Sequence, residues 1–429
     1  MIEPNAQPAT HSENFSLRDF LPLPNQGFHE QVEAFSQTYR QLAEDGAALY
    51  MREILGPADA TVTIRDRQTG ATRDMLMLGS NNYLGFANHP AIKQAVKDCI
   101  DTYGVGCGGP PLLNGTTQLH RQLEARLAAL KGAEDALIYS SGFLTNVGWV
   151  TALMRPQDIL IYDEYSHASL FDALKLARCK SQFFAHNDMA QLAAILKATR
   201  ERAPLANIVV SVEGVYSMDG DLAPLPEIRA LCTAHGAWLN VDDAHGTGVM
   251  GHLGAGTANH LGLAHGAVDL AMGTFSKTFG TVGGFIAGSQ ALIDYLRFFS
   301  RTYMFSASLP HTVIATVVAG LDVMRDEPWR QVRLHENATY VAAGLRRIGL
   351  DIHYESAILP IIVPESVDLR TLARRLHEEG LFCNAIEAPA VPPDKQRLRL
   401  SIMATHTRAQ LDQALAIIER VGKEVALIP

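Results

Sequence analysis

Residues 237–251 read AWLNVDDAHGTGVMG, an apolar run that delivers two aspartates and a histidine into a glycine-rich loop. The run has strand character, and the small residues after it let the chain turn back. Similar phrases lie on both sides: ALIYSS (136–141), DILIYD (158–163), SQFFAH (181–186), NIVVSVE (207–213) and DLAMGT (269–274). Each ends in small or polar residues, and helical stretches separate them. This alternation, from about residue 85 to residue 290, predicts an α/β unit with a largely parallel sheet. Ligands of such sheets gather beyond the carboxyl ends of the strands, so the residues closing these runs are the candidates for chemistry.

The flanks are organised differently. The first 25 or so residues are polar and proline-bearing, which predicts a mobile tail. From Phe28 to about Leu55, Val32, Phe35, Tyr39, Leu42, Leu49 and Ile54 recur at helical spacing, predicting an amphipathic helix lying on the body. TVTIRDRQTGATRDMLML (61–78) has two β-rich runs around Gln68, Thr69 and Gly70 and predicts a hairpin. After LPHTVIATVVAGLDVM (309–324), helices alternate with short strands such as LPIIVP and LRLSIM. The expected division is therefore an N-terminal tail, helix and hairpin (1–75), a large domain (76–309) and a smaller α+β C-terminal domain (310–429).

Composition narrows the function classes. A chain of 429 residues, 47% of them hydrophobic, can bury a large core. The net charge of -9 comes from scattered residues with no basic block, which argues against nucleic acid as a partner. Cys99, Cys107, Cys179, Cys232 and Cys383 are odd in number, far apart and without metal-like spacing, so free thiols in a reducing compartment and no metal are expected. With no secretory signal and no stretch of 18 apolar residues, the expected location is cytoplasmic, without a transmembrane segment.

The richest chemistry lies in MGTFSKTFGTVGGF (272–285), where a strand ends in Gly273, Thr274, Phe275, Ser276 and Lys277. A Schiff-base lysine needs partial desolvation to lower its pKa and backbone freedom nearby for a planar cofactor. Thr274 and Ser276 supply hydroxyls suited to a phosphate. An isolated Ser-Lys pair reads more simply as a surface lysine, but Asp242, Asp243 and His245 lie 35 residues upstream. A carboxylate at a strand end can pair with a protonated pyridine nitrogen and turn the ring into an electron sink; Asp242 is the one chosen for this. A metal site or a solvated turn is the alternative reading of that cluster. In ALIYSSGFLTN, Gly142 and Phe143 open an apolar helix whose bare N–H groups suit an anion. In DEYSHASLFD, His167 follows a strand end, where its ring can stack on an aromatic plane. Gly104, Gly106 and Gly109 match GxGxxG, but Pro110 and Pro111 follow and the preceding segment looks helical, so a dinucleotide site is rejected.

Together these segments resemble the α-oxoamine synthases, fold-type I pyridoxal-phosphate enzymes that include serine palmitoyltransferase, 8-amino-7-oxononanoate synthase, 2-amino-3-ketobutyrate ligase and 5-aminolevulinate synthase. The resemblance runs from about residue 75 to residue 410 through SNNYLGFANHP, LLNGTTQLHRQLE, YSSGFLTN, DEYSHAS, EGVYSMDGDLAPL, VDDAHGTGVMG, GTFSKTFGTVGGF, YMFSASLP and RLRLSIMATHT. It implies pyridoxal 5′-phosphate bound to Lys277, with Asp242 at the pyridine nitrogen and His167 over the ring. His245 and Ser217 would stand on the 3-oxygen side. Gly142, Phe143, Thr274 and Ser276 would surround the phosphate, joined across a homodimer interface by Ser306. Asn82 and Arg399 would meet the amino-acid carboxylate.

The implied reaction is the decarboxylative condensation of a small amino acid with an acyl thioester to give an α-amino ketone. LLNGT and EGVYSM favour the serine palmitoyltransferase branch, hence serine with a long acyl thioester, with alanine or glycine close behind. Asn81 stands where that branch commonly has tyrosine. Pro110 and Pro111 replace a stretch that is basic in several members, which brings acyl carrier protein forward beside coenzyme A as acyl donor. An aminotransferase or lyase on the same fold is the rival enzyme, and an inactive partner subunit the non-enzymatic reading.

Overall fold

The computed structural model describes residues 26–44, 49–66, 69–388 and 390–428; the expected N-terminal tail lies outside them. The predicted amphipathic helix forms over Phe28–Glu44, and only Leu42 of its residues is buried. It does not continue to Leu55. Instead β1 (Glu53–Leu55) pairs antiparallel with β2 (Thr61–Arg65), which forms the expected hairpin with β3 (Thr72–Met77). Pairing with β2 satisfies the backbone of Glu53–Leu55 and takes Ile54 out of the helix.

The six apolar runs become β4 (Asp135–Tyr139), β5 (Ile159–Asp163), β6 (Lys180–Phe184), β7 (Ile208–Glu213), β8 (Trp238–Asp242) and β9 (Leu270–Thr274). A seventh strand, β10 (Gly284–Gly288), sits between β4 and β9 and is antiparallel to both. Sheet order is β4-β10-β9-β8-β7-β5-β6, and β9, β8, β7, β5 and β6 run parallel. Helices start cleanly where side chains cap them: Ser141 accepts from Leu144 N–H, and Asp188 accepts from Gln191 N–H. Apolar residues of β5 and β7 are buried among Leu192, Leu196 and Ile228 on one side, while Leu160 and Val209 face Trp149 and Leu170 on the other. Burial on both faces explains why these strands read as continuous apolar runs rather than alternating ones.

Beyond the long helix His311–Asp326, β11 (Ile358–Ile362), β12 (Leu381–Phe382), β13 (Asn384–Ile386) and β14 (Arg397–Ser401) form the C-terminal strands. A three-stranded antiparallel sheet has the order β11-β14-β13. β12 adds in parallel to β3, tying the N-terminal hairpin to the C-terminal strands, and Met75 and Met77 pack with Met403. The consequence for the site is that β14 holds Arg399 against the Gly79–Tyr83 turn that follows β3. Among the described residues no helix is long and apolar enough to cross a membrane.

Candidate active site

A cavity of about 230 Å³ opens at the carboxyl ends of β7, β8 and β9, with Lys277 at its wall and Gly142, Phe143, His167, Glu213, Ser217, Asp242, His245, Thr274 and Ser276 around it. The parallel strands are what gather them. Each strand stops at the same edge of the sheet and hands its last side chain to the same space.

Asp242 is buried, and burial pushes its carboxyl upward, but the Asn146 amide at 2.8 Å and the Ala244 N–H at 3.2 Å favour its anion. The Asn146 amide has a defined orientation, because its Oδ1 accepts the Trp149 indole N–H at 3.1 Å. Its Nδ2 also donates to Ser169 Oγ at 2.9 Å. The Ser169 hydroxyl lies 2.8 Å from His167 Nδ1, which also accepts the Ser169 backbone N–H at 3.2 Å. In that arrangement Nδ1 is the acceptor of both bonds. Asp243 points elsewhere: it pairs with buried Lys131 at 2.7 Å and with the Thr257 hydroxyl at 2.7 Å.

Lys277 has its pKa lowered, chiefly by burial and then by the Arg399 charge, with Asp242 and Glu213 opposing. His245 is held neutral by burial, Lys277, Arg399 and His167, while its Nδ1 meets the Tyr83 hydroxyl at 2.7 Å. At the opposite end, Gly142 opens the helix Gly142–Leu153, so the N–H groups of Gly142 and Phe143 belong to the first turn, which has no intrahelical acceptors. Thr274 Oγ1 lies 2.9 Å from Ser276 Oγ. A Cβ at Gly142 would come within 3.1 Å of Thr274 Oγ1, and one at Gly284 within 2.8 Å of the Gly142 backbone. The Thr274 hydroxyl donates to Gly283 O at 2.9 Å, so the first-turn N–H groups and the Ser276 hydroxyl are the donors that this close backbone approach leaves for an anion such as a phosphate.

Arg399 is buried on β14, with Nε donating to Ser217 O at 2.6 Å and Nη1 to Asn81 Oδ1 at 3.1 Å. The sequence reading pairs Arg399 with Asn82, and here the structure differs. Asn82 turns away, its amide donating toward Ala58 O at 3.4 Å and its Oδ1 accepting the Ala87 N–H at 3.1 Å. Neighbours in a tight turn point apart, so only one of the two asparagines can face the arginine. Ser306 does not line the cavity of its own chain.

Asn146, Ser169, Glu213, Tyr83 and Asn81 escaped the sequence reading as site residues. Asn146 had a signal: it falls four residues after Gly142, one helical turn along the same face, in an otherwise apolar helix. The rejected GxGxxG begins at the C-cap of the helix Pro90–Tyr103 rather than after a strand. Among the described residues, Cys107, His120 and His311 bring potential metal-ligand atoms within 4.8 Å of one another. Both nitrogens of His120 are already engaged, with Leu309 O at 3.0 Å and the Thr117 hydroxyl at 2.8 Å.

Residues 73–418 match the family model for aminotransferase class I and II. The 8-amino-7-oxononanoate synthase of Treponema denticola is 38% identical over 92% of this chain and 98% of that protein. The serine palmitoyltransferase of Sphingomonas wittichii superposes with a TM-score of 0.85 at 33% identity, over 92% of this chain and 98% of that one. The chain belongs to the α-oxoamine synthase family. A further serine palmitoyltransferase structure, solved with pyridoxal phosphate bound, covers 94% of this synthase and 100% of that chain at 31% identity and a TM-score of 0.86. This synthase is accordingly a pyridoxal-phosphate-dependent, acyl-transferring enzyme of fold type I. The cavity fits that cofactor: an anion cradle at one end, a buried carboxylate at the middle strand and a lysine of lowered pKa beside them.

Proposed function

We propose that this synthase condenses a small amino acid with an acyl thioester, releasing carbon dioxide and free thiol, with alanine as the amino acid ahead of serine and glycine. The observation that carries the reading is the buried Arg399 guanidinium, braced by Ser217 O and Asn81 beside Lys277. With Nε and Nη1 spent on Ser217 O, Asn81 Oδ1 and Ser401 Oγ, the guanidinium keeps its charge and its Nη2 donors for a substrate carboxylate.

Bound pyridoxal phosphate supplies the electron sink for charge left on the substrate's α-carbon. The chain supplies orientation and proton handling. Lys277 carries the cofactor and takes the α-proton, for which its lowered pKa prepares it. With the cofactor bound, Asp242 would face the ring nitrogen, His167 would cover the ring, and neutral His245 and Ser217 would meet the 3-oxygen side. Gly142, Phe143, Thr274 and Ser276 would surround the phosphate, and in a homodimer Ser306 would join them from across the interface. Exposed Phe305, Leu113 and Val105 near that stretch are apolar surface suited to such an interface. Five free cysteines agree with a reducing, cytoplasmic setting.

The curated relatives support alanine. An 8-amino-7-oxo acid of nine carbons has one methyl carbon beyond the amino-bearing carbon, which is the side chain of alanine. The curated 8-amino-7-oxononanoate synthase is the more similar relative at 38% identity, and this moves alanine ahead of the serine favoured by motif wording. A second cavity of about 510 Å³ shares Ser217 with the site and has Tyr165, Phe171, Val391 and Lys395 among its walls, giving room for an acyl chain. Pro110 and Pro111 stand in a stretch that is basic in several family members, and on that ground we propose a carrier-protein thioester as the donor.

The test is to titrate the holo-protein with alanine, serine and glycine, following the visible spectrum, and then to measure thiol release from matched carrier-protein and coenzyme A thioesters. Alanine should give the largest response, and the carrier thioester the faster release. Pyridoxamine-phosphate formation without thiol release would replace this reading with an aminotransferase.

A further inference from the structure

Glu213 closes β7 as Asp242 closes β8, and the two are register partners across the parallel pair. Paired positions on adjacent strands direct their side chains to one face of the sheet, and both line the same cavity. Glu213 is only 4% exposed. Its Oε2 accepts the Ser217 N–H at 3.1 Å, whereas Oε1 is buried with no partner among the described residues. Asp242 has two donors where Glu213 has one.

Two carboxylates sharing a desolvated site do not both ionise, and the proton stays on the one whose anion is less well solvated. That one is Glu213. Burial, then the charge of Asp242 on β8, oppose its ionisation; Asp163 at the end of β5 adds to this, while Lys277 and the Ser217 N–H act the other way. Tyr216, in the loop between β7 and Ser217, is neutral, its own ionisation being opposed by burial and then by Asp163.

Sheet order fixes which part of the cofactor Glu213 faces. The phosphate cradle, at Gly142 after β4 and Thr274 on β9, lies to one side of β8, and Glu213 on β7 lies to the other. In a pyridoxal ring with its nitrogen at Asp242, the phosphate arm and the 3-oxygen leave from opposite edges. We propose that Glu213 is a further catalytic residue of this site, a carboxylic acid whose Oε1–H donates a hydrogen bond to the 3-oxygen of the cofactor. The assignment rests on the ring placement of the preceding section. A neutral donor there stabilises the oxyanion without adding charge, and so lowers the pH at which the Lys277-bound cofactor loses its shared proton.

The experiment follows the pH midpoint of the visible absorption band in the wild type, Glu213→Gln, Glu213→Met and Glu213→Ala, alongside infrared difference spectra of the apo-proteins. Met and Ala remove the donor and should raise the midpoint by about one pH unit, a tenfold change in the protonation ratio. Gln retains a neutral N–H donor and should move it much less. The apo wild type should show a buried carboxylic-acid carbonyl band that Glu213→Gln removes. A downward shift in Glu213→Gln would mean an ionised glutamate, and unchanged midpoints in both Gln and Met would mean no contact with the ring; either overturns the proposal. The infrared band needs no cofactor. An acid band in a wild type whose visible spectrum does not respond to pH would therefore remove the ring placement, and the proposal with it.

Discussion

His186 stands between two carboxylates, with Nδ1 3.0 Å from Asp163 and Nε2 2.7 Å from Asp221. Asp163 lies four residues before His167, and Asp221 four after Ser217, so the histidine clamps two loops of the site together. Tyr165 stacks on its ring at 4.3 Å. Burial opposes the imidazolium, but hydrogen bonds and charge from Asp163 and Asp221 outweigh it and raise the pKa from 6.5 to about 10. A group whose folded pKa is raised contributes stability that is complete below the unfolded value and is lost as pH rises through the folded one. Here that window runs from 6.5 to about 10. At roughly 1.4 kcal/mol per pH step, the clamp contributes on the order of 4 kcal/mol at neutral pH and about 1 kcal/mol by pH 9. His186→Gln retains hydrogen-bonding atoms and deletes the cation. Urea-unfolding midpoints of wild type and variant, measured from pH 6 to pH 10, should show the variant less stable by that amount at pH 7 and the gap closing as pH rises. A gap independent of pH would refute the charged clamp.

Lys277→Ala should abolish the visible band of the holo-protein and lower kcat by about 10²–10⁴, the range for a positioned proton-transfer group; absorbance and a thiol-release assay check both. Asn81→Ala and Arg399→Lys should raise the amino-acid KM by about tenfold or more, the worth of one or two hydrogen bonds to a charged group. Asn82→Ala should instead lower the melting temperature with KM little changed, and the reverse pattern would restore Asn82 to the substrate. Lys131→Met strands the buried Asp243 carboxylate and should cost about 3–5 kcal/mol in denaturant unfolding, with partial recovery on adding Asp243→Asn.

Much of the central sheet was legible because β5, β7 and β8 are buried on both faces, so apolar runs of five or six residues mark them directly. β10 was not, since its FIA core is bracketed by glycines that read as loop. The end of the first helix was misread because apolar spacing alone does not reveal that Ile54 has a strand partner. Asp242 closes β8, His167 caps the helix Ala168–Ala177 and Lys277 lies in the loop that follows β9, places that local pattern identifies.

The sequence by itself determined the alternating α/β order, the lysine and aspartate in their strand-end loops, and the family that those motifs resemble. Tertiary structure alone decided which member of each close pair is engaged elsewhere: Asp243 is paired with Lys131 while Asp242 lines the cavity, and Asn82 is bonded to Ala58 and Ala87 while Asn81 meets Arg399. Only the pairing of β7 with β8 brings Glu213 beside Asp242, across 29 residues of chain. The physical reason is common to all three. Adjacent residues carry the same local signal, and the competition for hydrogen-bond and charge partners that separates them is settled by groups distant in sequence.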